Sequence, residues 1–166
     1  MRQALASSAF VAAWLACPSW AHAQAGGAYR LVDTATVHET ARHHFRIATV
    51  VEGLDHPWSI AWLPTGEMLV TERPGRLRMV RDGLLDPEPI SGLPPVYRNA
   101  GQGGFMDIVP HPDFERNRWL YLSYGKPNGD SSAGTTTVVR GRLEGSSVVD
   151  VVEIFEADAW GSNNNH

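Results

Sequence analysis

The stretch that decides the fold is Gly53-Leu-Asp-His-Pro-Trp-Ser-Ile-Ala-Trp-Leu-Pro-Thr-Gly-Glu-Met-Leu-Val-Thr-Glu-Arg-Pro-Gly75. Within it, Trp58 to Leu63 is apolar at nearly every position, which predicts a strand buried on both faces. Pro64-Thr65-Gly66 is a turn in which glycine is free to adopt positive φ. Glu67 to Glu72 is the next predicted strand, and Arg73-Pro74-Gly75 turns the chain again. Short strands separated by turn residues, without helical periodicity, indicate an all-β chain.

The same alternation continues on the C-terminal side. Arg76 to Val80 alternates polar and apolar residues, which predicts a half-exposed strand, and Asp82-Gly83 ends it. A long connection rich in proline and glycine follows from Pro87 to Gly104. Beyond it, His111-Pro112-Asp113-Phe114 is a predicted turn. The predicted strands of this second set are 107–109, 119–124, 135–143 and 148–155.

The second set repeats the first, because Leu63-Pro64-Thr65-Gly66 corresponds to His111-Pro112-Asp113-Phe114 at an offset of 48 residues. A period of about 40–50 residues with four short strands per unit is typical of β-propeller blades. A sandwich is the competing all-β interpretation. Residues 47–166 supply about two blades, whereas a propeller closes with at least four. We therefore expect a fragment of a longer propeller, which would not fold stably alone because its blade edges are unpaired.

The first 23 residues have the pattern of an export signal. Arg2 is followed by an apolar run that ends at Trp20, and Ala21-His22-Ala23 provides a small-x-small cleavage site. The run is shorter than the roughly 20 strongly apolar residues of a spanning helix. We predict a signal peptide over 1–23, a linker over 24–46, and a periplasmic or secreted protein without a membrane span.

The cysteine content and the net charge limit the classes of protein to which the chain could belong. Cys17 is the only cysteine and follows Leu15-Ala16, which resembles a lipobox, but Trp14 and Pro18 make lipidation the less favoured alternative. After cleavage the chain has no cysteine and therefore no disulfide. The net charge is -4 with mixed signs and no basic stripe, which argues against nucleic-acid binding. The histidines at 38, 43 and 44 are interpreted as part of a solvated linker rather than as a metal-binding tract.

Composition contains no catalytic signature: the chain has no nucleophile elbow, no phosphate loop and no zinc-type spacing. Two local features remain. Gln102 is flanked by Gly101, Gly103 and Gly104, and glycines let the backbone approach a ligand closely. His166 follows three asparagines. From composition alone, a turn with an incidental glutamine and a solvated histidine are the favoured interpretations.

A family resemblance changes the interpretation of Gln102 and His166. The stretch Gly53 to Gly75 resembles the first blade of the aldose sugar dehydrogenases that depend on pyrroloquinoline quinone (PQQ), the glucose/sorbosone dehydrogenase family. The stretch Gly101-Gln-Gly-Gly-Phe-Met-Asp-Ile-Val-Pro-His-Pro-Asp-Phe114 is similar to the second-blade motif of that family. The similarity continues through Trp119 to Tyr124 and Thr136 to Leu143. Two ordered motifs at the expected separation make the resemblance specific.

The resemblance implies a six-bladed propeller that holds PQQ and calcium and oxidises the anomeric hydroxyl of an aldose sugar to a lactone. Gln102 matches the family glutamine beside cofactor and substrate, and His166 matches the histidine that removes the hydroxyl proton. Asn165 stands where soluble glucose dehydrogenases carry aspartate, so we also expect it beside the substrate and leave the sugar open. No metal ligand is assigned within this chain, and most cofactor-binding residues are expected beyond its end, so we expect the fragment to be inactive.

Two other functions remain open from the residues alone: a non-catalytic propeller that serves as a binding module, and a propeller hydrolase or lactonase with a central metal. His111 and His56 are interpreted as structural loop residues. Glu72 and Arg73 end a predicted strand, where they either reach the cleft or form an inter-blade salt bridge.

Overall fold

The computed structural model describes residues 37–98 and 103–162. The predicted signal peptide and the first part of the predicted linker lie outside the described residues. The described part of the chain forms ten β-strands and one single-turn helix. In chain order these elements are β1 Val37–Glu39, β2 His44–Arg46, β3 Pro57–Trp62, β4 Met68–Glu72, β5 Arg76–Arg81, β6 Leu84–Leu85, β7 Phe105–Pro110, α1 Phe114–Asn117, β8 Trp119–Pro127, β9 Gly134–Glu144 and β10 Ser147–Glu156.

The strands form two consecutive four-stranded antiparallel sheets and a small hairpin. The first sheet has the order β3-β4-β5-β6 and the second has the order β7-β8-β9-β10, so each sheet follows chain order. β1 and β2 pair as a two-stranded hairpin within the segment predicted to be a linker. The all-β prediction is confirmed. The 48-residue repeat is visible directly, since β3 begins at Pro57 and β7 begins at Phe105.

The two sheets pack against each other around one core. Alternate residues of the first sheet, including Leu69 and Leu77, face the second sheet, and Phe105 and Leu120 face back. All four side chains are fully buried. The innermost strands also meet through polar groups: the Ser59 hydroxyl donates to Asp107 Oδ1 at 2.5 Å. These arrangements are those of neighbouring propeller blades, in which innermost strands lie side by side.

The opposite face of the first sheet has a second, smaller cluster. Met68, Val70 and Val80 are buried there beneath the segment 50–54 and Leu85. β5 is therefore covered on both faces, and its predicted half-exposure is wrong. The sequence pattern misled because Arg78 is buried as well, with ion-pair and hydrogen-bond partners inside the cluster.

β3, in contrast, is more exposed than predicted. Trp58, Ile60 and Trp62 remain about half exposed, at 57%, 57% and 52%. By strand alternation they share the face turned away from the second sheet, and no further sheet among the described residues covers that face. The second sheet has a corresponding apolar margin along β10, where Val152, Ile154 and Phe155 are exposed. Both outer sides of the pair of sheets thus carry exposed apolar side chains.

His111 has the structural surroundings expected of it. Its Nδ1 accepts a hydrogen bond from the backbone N–H of Asp113 at 2.9 Å and lies 2.8 Å from Asn117 Nδ2. Its ring stacks on Tyr121 with the ring centroids 6.2 Å apart. These contacts fix the turn between β7 and β8 and the single-turn helix that follows it.

The shared core makes a stability prediction for the protein that carries this chain. Phe105→Ala removes a fully buried ring that packs on Tyr124 and leaves a cavity between the sheets, so we expect a loss of about 3–5 kcal/mol in the free energy of unfolding. Leu84→Ala is the matched control, because Leu84 is 73% exposed. Denaturant unfolding measures both, and equal losses would contradict the proposed core.

Candidate functional site

Several chain segments converge at one end of the two sheets, which we call the entry end because the innermost strands β3 and β7 begin there. Pairing of Phe105 with Tyr124 and of Pro127 with Gly134 brings the beginning of β7 and the β8–β9 turn together. The chain beyond β10 returns to the same place, since Gly161 pairs with Gly134. The β4–β5 turn of the first sheet lies at this end too, because its Arg73 contacts Gly104.

Gly104 makes a close backbone contact with the β4–β5 turn at the entry end. Its φ is +92°, and a Cβ atom there would overlap the carbonyl oxygen of Arg73. The position therefore requires glycine both for its backbone conformation and for the available space. Its N–H donates to the carbonyl of Tyr97 at 2.9 Å, and its own carbonyl accepts from the Gly125 N–H at 3.0 Å. These bonds hold the chain at the point where it enters β7.

The three predicted site residues, Gln102, Asn165 and His166, lie outside the described residues. Their described neighbours do lie at the entry end. Gly103, which follows Gln102, forms a bridge with Arg98. Ser162, three residues before Asn165, has its carbonyl oxygen 3.1 Å from the Tyr97 hydroxyl. The structure thus brings the described flanks of both predicted segments to one end of the sheets, and the positions of the three side chains stay predictions.

A charged cluster lies beside this end, on the face of the first sheet turned away from the second. Glu72 is fully buried and its Oε2 accepts from Arg76 Nε at 2.5 Å, while Arg78 Nη1 lies 3.6 Å from Oε1. The backbone N–H of Asp55 also donates to Glu72 Oε1 at 2.7 Å. The predicted inter-blade salt bridge of Glu72 is therefore wrong, because both of its ion-pair partners belong to the same sheet. Strand register explains why, since Glu72 is paired with Arg76 within the same sheet.

Asp55 and His56 extend this cluster to the surface. His56 Nδ1 and Asp55 Oδ1 are 2.5 Å apart, and Arg76 Nη2 donates to Asp55 Oδ2 at 2.9 Å. The hydrogen bonds from His56 and Arg76 hold the pKa of the Asp55 carboxyl below its usual value. A depressed folded pKa means that this contribution to stability is present above the unfolded carboxyl pKa. It is lost as pH falls through the lower folded value.

The residue that sequence reasoning missed is Tyr97. It is buried, its main chain bonds Gly104 and Gly125, and its hydroxyl reaches Ser162. An aromatic residue inside the proline- and glycine-rich connection 87–104 was the available signal, because such a side chain needs a buried pocket to occupy. That signal does not by itself identify which segments form the pocket.

The chemistry available to the described residues at the entry end is polar but contains no metal site. Within residues 37–98 and 103–162, no group of three or more His, Cys, Asp or Glu side chains is arranged to hold a metal ion. Among the same residues, no helix is long and apolar enough to cross a membrane.

Comparison with known proteins identifies a family that matches most of the chain. The family model described as glucose/sorbosone dehydrogenase matches residues 54–166. The chain is 40% identical over 123 residues to the aldose sugar dehydrogenase YliI of Escherichia coli, covering 72% of this chain and 33% of that protein.

Solved structures agree on the architecture. A crystal structure of a glucose dehydrogenase is 42% identical with a TM-score of 0.59, over 64% of this chain and 31% of that one. The PQQ-bound aldose sugar dehydrogenase of Streptomyces coelicolor has a TM-score of 0.56 over 76% of this chain and 36% of that one. At 22% identity the latter supports the fold alone. The chain spans about a third of the length of these proteins.

The buried charge cluster makes a sharp stability prediction. Glu72→Gln leaves the largely buried Arg78 without its carboxylate, so we expect a loss of about 3–5 kcal/mol in the free energy of unfolding. Asp113→Asn is the control, because its partner Arg116 is exposed and such pairs contribute about 0–1 kcal/mol. Thermal and denaturant unfolding compare the two variants. A Glu72→Gln loss no larger than that of Asp113→Asn would show that the cluster is not a stabilising unit.

Proposed function

Because the chain belongs to the glucose/sorbosone dehydrogenase family, we propose that the longer protein that contains it oxidises the anomeric hydroxyl of aldose sugars to lactones with PQQ as the electron acceptor. The observation that carries this proposal is the family match over residues 54–166, which includes both segments that lead to Gln102 and His166. The convergence of their described flanks at the entry end supports a common site. In this proposal, the full ring has six blades and the protein works in the periplasm or outside the cell.

The proposed roles follow from the chemistry of the reaction. PQQ, when bound, supplies the two-electron acceptor for the hydride that leaves C1 of the sugar. His166 accepts the proton of the anomeric hydroxyl on a ring nitrogen, because hydride leaves an alkoxide more readily than an alcohol. Gln102 offers both a donor and an acceptor with which to orient the sugar and the quinone. Asn165 orients the His166 ring as a neutral amide. The sugar loses one proton and one hydride, which balances its conversion to the lactone.

Two features of the entry end are occupied by the protein itself: the Arg73 carbonyl fills the space beside Gly104, and the Tyr97 hydroxyl bonds to Ser162. The described residues therefore offer no direct test of a fit to PQQ. Within the described residues, no group of three or more His, Cys, Asp or Glu side chains is arranged to hold a metal ion. We propose that calcium and most PQQ contacts come from residues outside this chain, and that the chain alone does not turn over sugar.

The primary test is activity of the full-length protein. After reconstitution with PQQ and calcium, it should reduce an artificial electron acceptor in the presence of at least one aldose from a panel of pentoses and hexoses. Sugar binding without turnover, when bound PQQ has been verified spectroscopically, would support a non-catalytic binding module instead. Lactone hydrolysis without PQQ would support the hydrolase alternative.

His166→Gln tests the proposed base in the same protein. We expect kcat to fall about 10²–10⁴-fold, the usual contribution of general base catalysis, while PQQ binding stays unchanged. His43→Gln is the control, since His43 is exposed in the β1–β2 hairpin. Steady-state kinetics and quinone absorbance separate the two effects, and a kcat near that of wild type would remove His166 from the proposed role.

Asn165→Asp tests the electrostatic difference from soluble glucose dehydrogenases. A carboxylate beside the imidazolium favours its charged form, so the pKa of His166 should rise. Since His166 must be neutral to accept a proton, the acidic limb of kcat/KM against pH should move to higher pH by about one unit. A limb that stays in place would show that residue 165 does not act on the base.

A further inference from the structure

The side chain of Tyr97 connects three separate segments at the entry end. Tyr97 is 6% exposed, so its phenol needs a partner inside the protein. The hydroxyl donates to the carbonyl oxygen of Ser162 at 3.1 Å, with a longer contact of 3.5 Å to the carbonyl of Ser132. It therefore joins the β8–β9 turn to the chain that continues beyond β10.

The Tyr97 ring is seated against Gly134. A Cβ atom at position 134 would overlap Cδ1 and Cγ of the ring, so the first residue of β9 has to be glycine for the ring to lie flat there. Gly134 in turn exchanges both backbone hydrogen bonds with Gly161, at 2.9 and 3.0 Å. The Tyr97 ring therefore packs on Gly134, Gly134 pairs with Gly161, and the Tyr97 hydroxyl bonds to Ser162, the residue that follows Gly161.

The main chain of Tyr97 acts on a different segment. Its N–H donates to the Gly125 carbonyl at 2.6 Å, and its carbonyl accepts from the Gly104 N–H at 2.9 Å. These bonds fix the chain just after Gln102. Main chain and side chain of a single residue therefore hold the described flanks of both proposed site segments.

Chain length limits how far the proposed base can lie from this point. His166 follows Ser162 by four residues, and an extended chain advances at most about 3.3–3.6 Å per residue. The His166 Cα therefore lies within roughly 14 Å of the Ser162 Cα. Gln102 precedes the fixed Gly103 directly. A shift of Ser162 thus changes the point from which the chain continues toward His166.

We propose that Tyr97 is a positioning residue: its hydroxyl sets where the chain that leads to Asn165 and His166 leaves the second sheet, relative to the segment that carries Gln102. It touches neither substrate nor cofactor in this proposal and acts through Ser162. The activity readout rests on the proposed function, whereas the backbone readout below does not.

Tyr97→Phe separates the two halves of this role, because it removes the hydroxyl and keeps the ring and main chain. In the full-length protein we expect amide hydrogen exchange in a peptide that covers 161–166 to accelerate about fivefold, the effect of one lost hydrogen bond. A peptide that covers 103–108 should be unchanged. Tyr121→Phe is the control, because Tyr121 stacks on His111 at the opposite end of β8 and should leave both peptides unchanged.

Kinetics of the reconstituted protein supply the second readout. Tyr97→Phe should lower kcat about fivefold with KM within twofold and the acidic limb of the pH profile in place, because the base is displaced but not altered. Gly134→Ala should accelerate exchange in both 161–166 and 103–108, because a Cβ atom there overlaps the Tyr97 ring and Tyr97 Cβ and so displaces the main chain of Tyr97 too. In Tyr97→Phe, exchange in 161–166 equal to wild type, or a uniform acceleration across all peptides, would overturn the proposal. If the wild type is inactive with PQQ bound, the proposed function fails, and the exchange arm still decides the role of Tyr97.

Discussion

The contact between the two sheets is the constraint on which the rest of the structure depends. A single four-stranded sheet of this length exposes two apolar faces, and packing the first sheet on the second removes one face of each from water. The side chains that do this come from β4, β5, β7 and β8, with further contributions from β3, β9 and β10. Close packing of these strands brings Gly104 against the Arg73 carbonyl, which a larger residue would prevent. The geometry of the entry end is therefore a consequence of the core.

Two glycines and one aromatic residue determine how the segments at the entry end pack together. At Gly104 and Gly134 the absence of a side chain allows backbone or ring to approach from the neighbouring segment. Tyr97 then occupies the space that Gly134 leaves open and bonds to both sides. In its described part, residues 87–98, the connection is held by Ile90 in the core as well as by the buried ring of Tyr97.

Sequence reasoning predicted the all-β class, the longer strands of both sheets and the 48-residue repeat, because turn residues and β-branched runs are local signals. It missed the short strands β1, β2 and β6. It misjudged the exposure of β3 and β5, since exposure depends on what covers a face and not on the residues of the strand. The alternating pattern of β5 predicted that Arg78 faces solvent. In the structure Arg78 is buried, and the buried carboxylate of Glu72 compensates its charge. Tyr97 was missed for the same reason: its importance lies in the three distant segments that it contacts. The catalytic roles of Gln102 and His166 were assigned from family motifs. Without those motifs, the same residues are interpreted as part of a turn and of a solvated loop.

The buried charge cluster and the exposed apolar strand β3 lie on the same face of the first sheet, and this combination is informative about the longer protein. Trp58, Ile60 and Trp62 present a ridge of large apolar side chains on that face, while Glu72 and its arginines are already neutralised beneath segment 50–55. A partner sheet packed there would bury the tryptophans without having to desolvate an unpaired charge, whose burial costs several kcal/mol. The face is thus prepared for apolar packing, as expected of the proposed ring, in which the last blade returns to the first. The charges that could oppose such closure are satisfied within the first blade itself.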